Sequence, residues 1–263
     1  MDVFRFASFD RLPVTHGLST RNQELPAEGD IAHAPGTCAR QIEVNRNRFL
    51  DRLGIDAASL TLGRQVHGAN VSTVTRADRG KGRYPRFDAI PDSDGLMTSD
   101  PEVALGLIVA DCVPVMIYDE VRHAIALVHA GWRGTVQGIV ANAVRGMERA
   151  FGSRASRLHV GIGPSIGPCC YEVGDDVIEP WLATRRQGVE SAVIERSPRQ
   201  HFDLWRANEL ILVQSGVDPE RIEIAGICTQ CDPSGRFFSH RAAMAGERPR
   251  GRMMMVAKLD SVS

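Results

Sequence analysis

Residues Glu102–Thr135, EVALGLIVADCVPVMIYDEVRHAIALVHAGWRGT, decide how the chain folds. The first part, EVALGLIVADC, is a near-continuous apolar run, as expected of a strand covered on both faces. VPVMIYD and HAIALVHA follow, joined by a turn over Asp119–Arg122. Two of these runs end in unusual residues. Buried strands normally stop at turn formers, yet Cys112 closes the first run and His129 closes the third. Alternation puts Ile125, Leu127 and His129 on one strand face, so the imidazole points where two aliphatic side chains point. Chemistry is expected at this edge.

Downstream, Thr135–Phe151 carries apolar residues at 136, 139, 140, 143, 144, 147, 150 and 151, the spacing of an amphipathic helix. LHVGIG then reads as a strand ending in a Gly-Pro turn. GDDVIEPWLATR and FDLWRANELILVQSG read as helices, and RIEIAGIC and RMMMVAKL as the last strands. Upstream, VFRFASFD and VTHGLSTR read as two strands ending at Arg21. Residues 22–37 form a long polar loop, and a helix is expected over Cys38–Leu53 with Gly54 as its stop. TLGRQVHGANVSTV reads as a pair of short strands with His67-Gly68 between them, followed by the polar loop ADRGKGRYPRFDAIPDSDG. No repeat or linker divides residues 1–263, so a single domain is expected. Strands come in runs without intervening helices, which favours α+β with mixed sheets over a doubly wound parallel sheet.

Bulk properties exclude several classes. Hydrophobic content of 43% suits a globular chain, and a net charge of −1 gives no electrostatic reason to bind nucleic acid or an anionic membrane. No apolar run approaches the roughly 18 residues of a membrane span. The N-terminus lacks a secretory pattern, so a cytoplasmic location is expected. Six cysteines without a signal are read as reduced thiols. No heptad or edge-strand pattern demands a dimer, and a monomer is expected.

His67, Cys112 and His129 each sit where an apolar strand meets a turn. Two imidazoles and a thiolate make a sensible zinc site, leaving a fourth position open. In such a site the pKa of water falls from about 15.7 towards roughly 7. The same residues admit a metal-free reading, with Cys112 as nucleophile and His129 as its base, and most histidines or cysteines near apolar strands are simply core residues. Arg21, Arg46, Arg64, Arg133 and Arg241 sit at element ends, where a guanidinium can clamp an anion such as phosphate. Arg133, close to His129, has the best claim to act in catalysis. Cys228 and Cys231 form one isolated C-x-x-C, read as structural, and the adjacent Cys169-Cys170 pair suggests no chemistry. GIGPSIGPCCYEVG is no phosphate cradle, since Pro164 and Pro168 remove backbone donors.

Several segments together resemble the bacterial laccase-domain family: QVHGANV, ADCVPV, HAGWRGT, GPSIGPCCYEVG, the CT-x-C with FFSHR, and the terminal GRMMMVAKL. The likeness runs from about Val14 to the C-terminus. Members of that family have been labelled polyphenol oxidases and are described as purine nucleoside phosphorylases with adenosine deaminase activity. The resemblance implies a four-layer α/β/β/α sandwich and zinc held by His67, Cys112 and His129. It also implies phosphorolysis of adenosine, inosine, guanosine and methylthioadenosine to base and ribose 1-phosphate, and hydrolytic deamination of adenosine. The implied partners are purine nucleosides and phosphate.

Two positions depart from the family pattern. NQELPAEGD stands where a Gly-Gly-Val-Ser loop is usual, and Ser239-His240-Arg241-Ala242 replaces Ser-Tyr-Arg-Arg. Alternatives remain: a copper-dependent phenol oxidase, weakened by only eight scattered histidines, or a Cys112/His129 hydrolase of amide or cell-wall precursor linkages. A zinc-binding protein without turnover is a further possibility.

Overall fold

A computed structural model of the protein describes residues 2–32, 38–83 and 88–261. Two mixed sheets face each other. The first is built from β1 (Val3–Phe4), β2 (Val14–Ser19), β3 (Leu60–Leu62) and two strands given below. The second begins with β4 (Val71–Thr73) and β5 (Gly95–Thr98). Next in the chain come β6 (Ala104–Val109), β7 (Val113–Asp119) and β8 (Ala124–Ala130), the three strands expected from Glu102–Thr135. β9 (His159–Ile162) follows, then a small hairpin of β10 (Val193–Ile194) with β11 (His201–Phe202), then β12 (Ile222–Ile224) and β13 (Met253–Leu259).

The five-stranded sheet has the order β1-β2-β13-β6-β3, and the six-stranded sheet the order β12-β9-β7-β8-β5-β4. Both mix directions: β3 runs parallel to β6, β4 to β5 and β12 to β9, and the remaining pairs within these two sheets are antiparallel.

Alternation along the central strands sorts the core into layers. On β13, Met253, Met255, Ala257 and Leu259 face the second sheet, where Met116 and Tyr118 of β7 and Ile125 and Leu127 of β8 meet them. The opposite faces turn outward. Met254 and Val256 pack with Phe49, Leu50 and Leu53 of α1 (Ala39–Leu53). Val115, Ile117, Ala126 and Val128 pack against helices on the far side. Those helices are α2 (Trp132–Val136), α3 (Ile139–Phe151), α4 (Asp175–Leu182) and α5 (Leu204–Gln214). The result is a helix layer, two sheets and a second helix layer, the expected α/β/β/α sandwich. Both central sheets are covered on both faces, which is why their strands read as continuous apolar runs. Each fully buried Leu, Ile or Met contributes roughly 1.5–3 kcal/mol, so three such layers are a large driving term.

The structure adds to or corrects these expectations at four points. The periodic stretch from Thr135 is not one helix, because Gly138 adopts φ 76° and separates α2 from α3; a Cβ there would lie 2.9 Å from the Arg186 guanidinium. β3 and β4, the two short strands expected on either side of His67-Gly68, belong to opposite sheets. Gly95–Thr98 is the fully buried strand β5, where the polar loop is expected to end at Gly95 and no element is expected over 96–98. A short helix, α6 (His240–Met244), follows FFS; the Ser239 hydroxyl caps it by accepting the Ala242 amide. Part of the 22–37 loop and residues 84–87 lie outside the described residues.

Candidate metal centre

Two connections carry the chain from one sheet to the other at the same edge of the sandwich. One links β3 to β4 and contains His67; the other links β6 to β7 and contains Asp111 and Cys112. Both turn sharply, with His67 at φ 61° and Asp111 at φ 76°, a left-handed conformation uncommon outside glycine. β8 ends beside them, presenting His129 on the inter-sheet face as alternation requires. The ligand atoms of His67, Cys112 and His129 all lie within 4.8 Å of one another. Gly131 allows this approach: a Cβ there would sit 3.1 Å from the Cys112 sulfur and 3.5 Å from the His67 ring.

Asp94, the residue before β5, organises the histidines. Its Oδ1 accepts the His67 amide at 2.9 Å and its Oδ2 accepts the amides of Val66 and Gly68 at 3.0 and 2.9 Å. The same Oδ1 lies 2.8 Å from Nδ1 of His129, which leaves Nε2 of that ring directed at Cys112. A carboxylate behind a ligating imidazole fixes its tautomer and orientation. Burial raises the Asp94 carboxyl, but these hydrogen bonds outweigh it and hold the group below its ordinary range. Burial likewise opposes charge on Cys112 and His129. The two groups override it through their mutual attraction, assisted by His67 and Asp94, so the thiol falls to about 6 and the imidazole rises to about 9.

Asp111 organises the other side. Its carboxylate accepts the Thr229 hydroxyl at 2.6 Å, the Ser239 hydroxyl at 3.1 Å and the Arg241 amide at 2.7 Å. Its carbonyl accepts the Ile166 amide at 2.9 Å. Four bonds thus hold the left-handed residue that aims Cys112.

The three metal-competent residues border a cavity of about 390 Å³. That is within the range of small-molecule sites, about 300–1,000 Å³. Arg46, Arg64 and Arg252 line it with Gln65 and His240, and Leu62, Ile108 and several alanines supply apolar wall. No Asp or Glu lies among its described lining residues, so the chamber favours anions. His240, one of the departures from the family pattern, therefore faces this space.

The arginines divide. Arg46 and Arg64 reach the cavity: Arg46 is nearly buried and donates to the carbonyls of Ile31 and Arg83, and exposed Arg64 pairs with Asp92 at 2.8 Å. Three others do not line it. Arg21 is drawn away by Glu28, Arg133 is exposed and stacks on its neighbour Trp132, and Arg241 spends both terminal nitrogens on the Glu172 carbonyl. α2 begins at Trp132 and turns the Arg133 side chain outward, away from the cavity lining. Sequence reading missed Asp94, Asp111, Gln65, His240 and Arg252. Asp94 was findable: treating GLMT as a strand would have placed it at a strand entrance.

Residues 15–260 match the family described as "Multi-copper polyphenol oxidoreductase laccase", and the chain belongs to that family. The "Purine nucleoside phosphorylase YlmD" of Bacillus subtilis is 37% identical over 210 residues, spanning 80% of this chain and 74% of the relative. The "Adenosine deaminase RL5" of an unknown prokaryotic organism is 32% identical over 200 residues, 75% of each chain. The solved structure of YlmD from Geobacillus stearothermophilus superposes with a TM-score of 0.91 at 32% identity, covering 99% of this chain and 97% of that one.

Proposed function

We propose that this chain is a zinc-dependent purine nucleoside phosphorylase with adenosine deaminase activity. The observation that carries the reading is a His/Cys/His donor set on the wall of an arginine-lined cavity with no carboxylate among its described lining residues. The donor chemistry fits zinc. One thiolate and two imidazoles are good ligands for it, three protein ligands leave a position open, and the Asp94 contact leaves Nε2 of His129 available. Bound there, the ion would supply Lewis acidity at the cavity wall.

The protein's own groups account for much of the remaining task. Arg64 and Arg252 offer guanidinium donors for phosphate, and together with Arg46 their positive field favours an anion before any substrate contact forms. Leu62, Ile108 and the alanines offer apolar surface for a purine, and His240 offers a polar contact, while Gln65 holds the Ile108 backbone through both ends of its amide. Asp94 and Asp111 are not among the described lining residues of the cavity; they position His129, the His67 loop and Cys112. A multi-copper oxidase is disfavoured because the described residues hold two metal-competent groups, and the second contains only cysteines.

A second reading has an observation of its own. Cys112, His129 and Asp94 also form the thiolate–imidazole–carboxylate line of a cysteine hydrolase. His67 separates the two, since a metal site needs it and a hydrolase does not. Purified protein is incubated with adenosine, with and without phosphate, before and after chelation. Adenine formed only with phosphate supports phosphorolysis, and inosine without phosphate supports deamination. Activity that survives chelation and His67→Ala but not Cys112→Ser would sink the zinc reading.

A further inference from the structure

The adjacent pair Cys169-Cys170 and the isolated pair Cys228/Cys231 lie far apart in sequence, yet their four sulfurs are all within 4.8 Å of one another. We propose that they form a second, four-thiolate site for a soft divalent metal, with zinc as its natural occupant and a structural role.

The spacing suits such an ion. Zinc–sulfur bonds of about 2.3 Å in a tetrahedron place sulfurs about 3.8 Å apart. Cys169 and Cys231 are already 3.5 Å apart, and no pair in the cluster needs a large backbone movement to reach that figure. The Cys-x-x-Cys turn is also prepared for charge on sulfur. The Cys228 sulfur accepts the Gly167 amide at 3.2 Å. A backbone donor on sulfur favours the thiolate, the form that ligates metal. Binding would take four protons off four thiols and leave a tetrathiolate complex of net charge −2.

The site is closed where the first is open. None of the four cysteines lines the cavity, and four protein ligands leave no position for water or substrate. Its location gives it a task. Ile166, just before the first pair, donates its amide to the Asp111 carbonyl, and Thr229, inside the second pair, donates its hydroxyl to the Asp111 carboxylate. A metal joining the two cysteine loops would clamp two of the four partners of Asp111, and Asp111 aims Cys112.

The inference stands apart from the nucleoside reading, and its test removes the first site so that the two cannot be confused. Metal content is measured on protein purified under reducing conditions. Two zinc ions per chain are expected for the native sequence, one for Cys112→Ser and one for Cys228→Ser/Cys231→Ser. Cobalt added to the Cys112→Ser chain should show the intense absorption of a four-sulfur tetrahedron. Because this variant keeps all four cysteines, the spectrum decides the matter even if the double variant does not fold. A Cys112→Ser chain that binds no metal, or one in which Cys169 and Cys231 are joined as a disulfide under these conditions, overturns the proposal.

Discussion

The two sulfur-containing clusters are made by the same device and differ in what surrounds them. Each gathers residues distant in sequence where loops meet at the ends of strands. At the first, one sulfur and two imidazoles face a cavity, and carboxylates from Asp94 and Asp111 hold the ligands or their neighbours from behind. At the second, four sulfurs face one another, and the Gly167 amide on Cys228 takes the place of a carboxylate. With a metal bound, the first would leave a coordination position directed at a chamber lined by arginines, and the second would have none to offer. Openness, more than ligand identity, separates a site that can act on a substrate from one that can only hold loops together.

That contrast can be broken most sharply at the ligands. Cys112→Ser or His67→Ala should abolish nucleoside turnover and remove one metal ion, measured by product chromatography and elemental analysis, while leaving the fold intact by circular dichroism. Next in size is Asp94→Asn. Loss of a carboxylate behind a ligating histidine typically costs about 10–100-fold in metal affinity or activity. A chelator competition assay should show the loss at the first site and no change at the second. Equal weakening of both would erase the distinction drawn here.

Removing the second cluster should act mainly on stability. Cys228→Ser/Cys231→Ser is expected to lower the melting temperature clearly while reducing kcat/KM by less than about tenfold, under about 1.4 kcal/mol. A larger kinetic loss would mean that the clamp on Asp111 matters more than its distance from substrate suggests. Thr229→Val probes that link alone. It leaves the buried Asp111 carboxylate without one donor, at a cost of about 1–3 kcal/mol in denaturant unfolding.

The smallest effect belongs to a titratable group remote from both clusters. His16 is buried and its Nε2 accepts the Phe6 amide at 2.9 Å; burial lowers its pKa below the usual value of 6.5. The unfolded chain therefore binds this proton more readily than the folded one. Its contribution to stability is intact above about pH 6.5 and is lost as pH falls through the lowered value. His16→Gln, which can still accept the amide, should flatten the fall in unfolding free energy between pH 7 and pH 5.

Much of the architecture was legible because burial leaves a pattern. The runs ending at Cys112 and His129 named three central strands, and the spacing of Ile42, Phe49, Leu50 and Leu53 named α1 with its Gly54 stop. Errors fell where a local rule competed with tertiary context. Gly138 split a helix whose apolar periodicity ran through it. β5 was hidden because it is four residues long and opens directly from a polar loop. The arginines resisted for another reason, since a guanidinium at an element end can turn to a carbonyl, a ring or a cavity with little change in local backbone. Arg133 and Arg241 took the first two options, and Arg46 and Arg64 line the chamber.

By itself, then, the sequence determined which segments are buried and that His67, Cys112 and His129 stand at their ends, because hydrophobic periodicity is a local property. Which of those ends meet was decided by the tertiary structure. Only the two crossings between sheets bring His67 and Cys112 to His129. Only the packing of two loops across Asp111 turns an adjacent cysteine pair and a lone Cys-x-x-Cys into one cluster. Spacing along the chain carries no information about a convergence that depends on how separate layers stack.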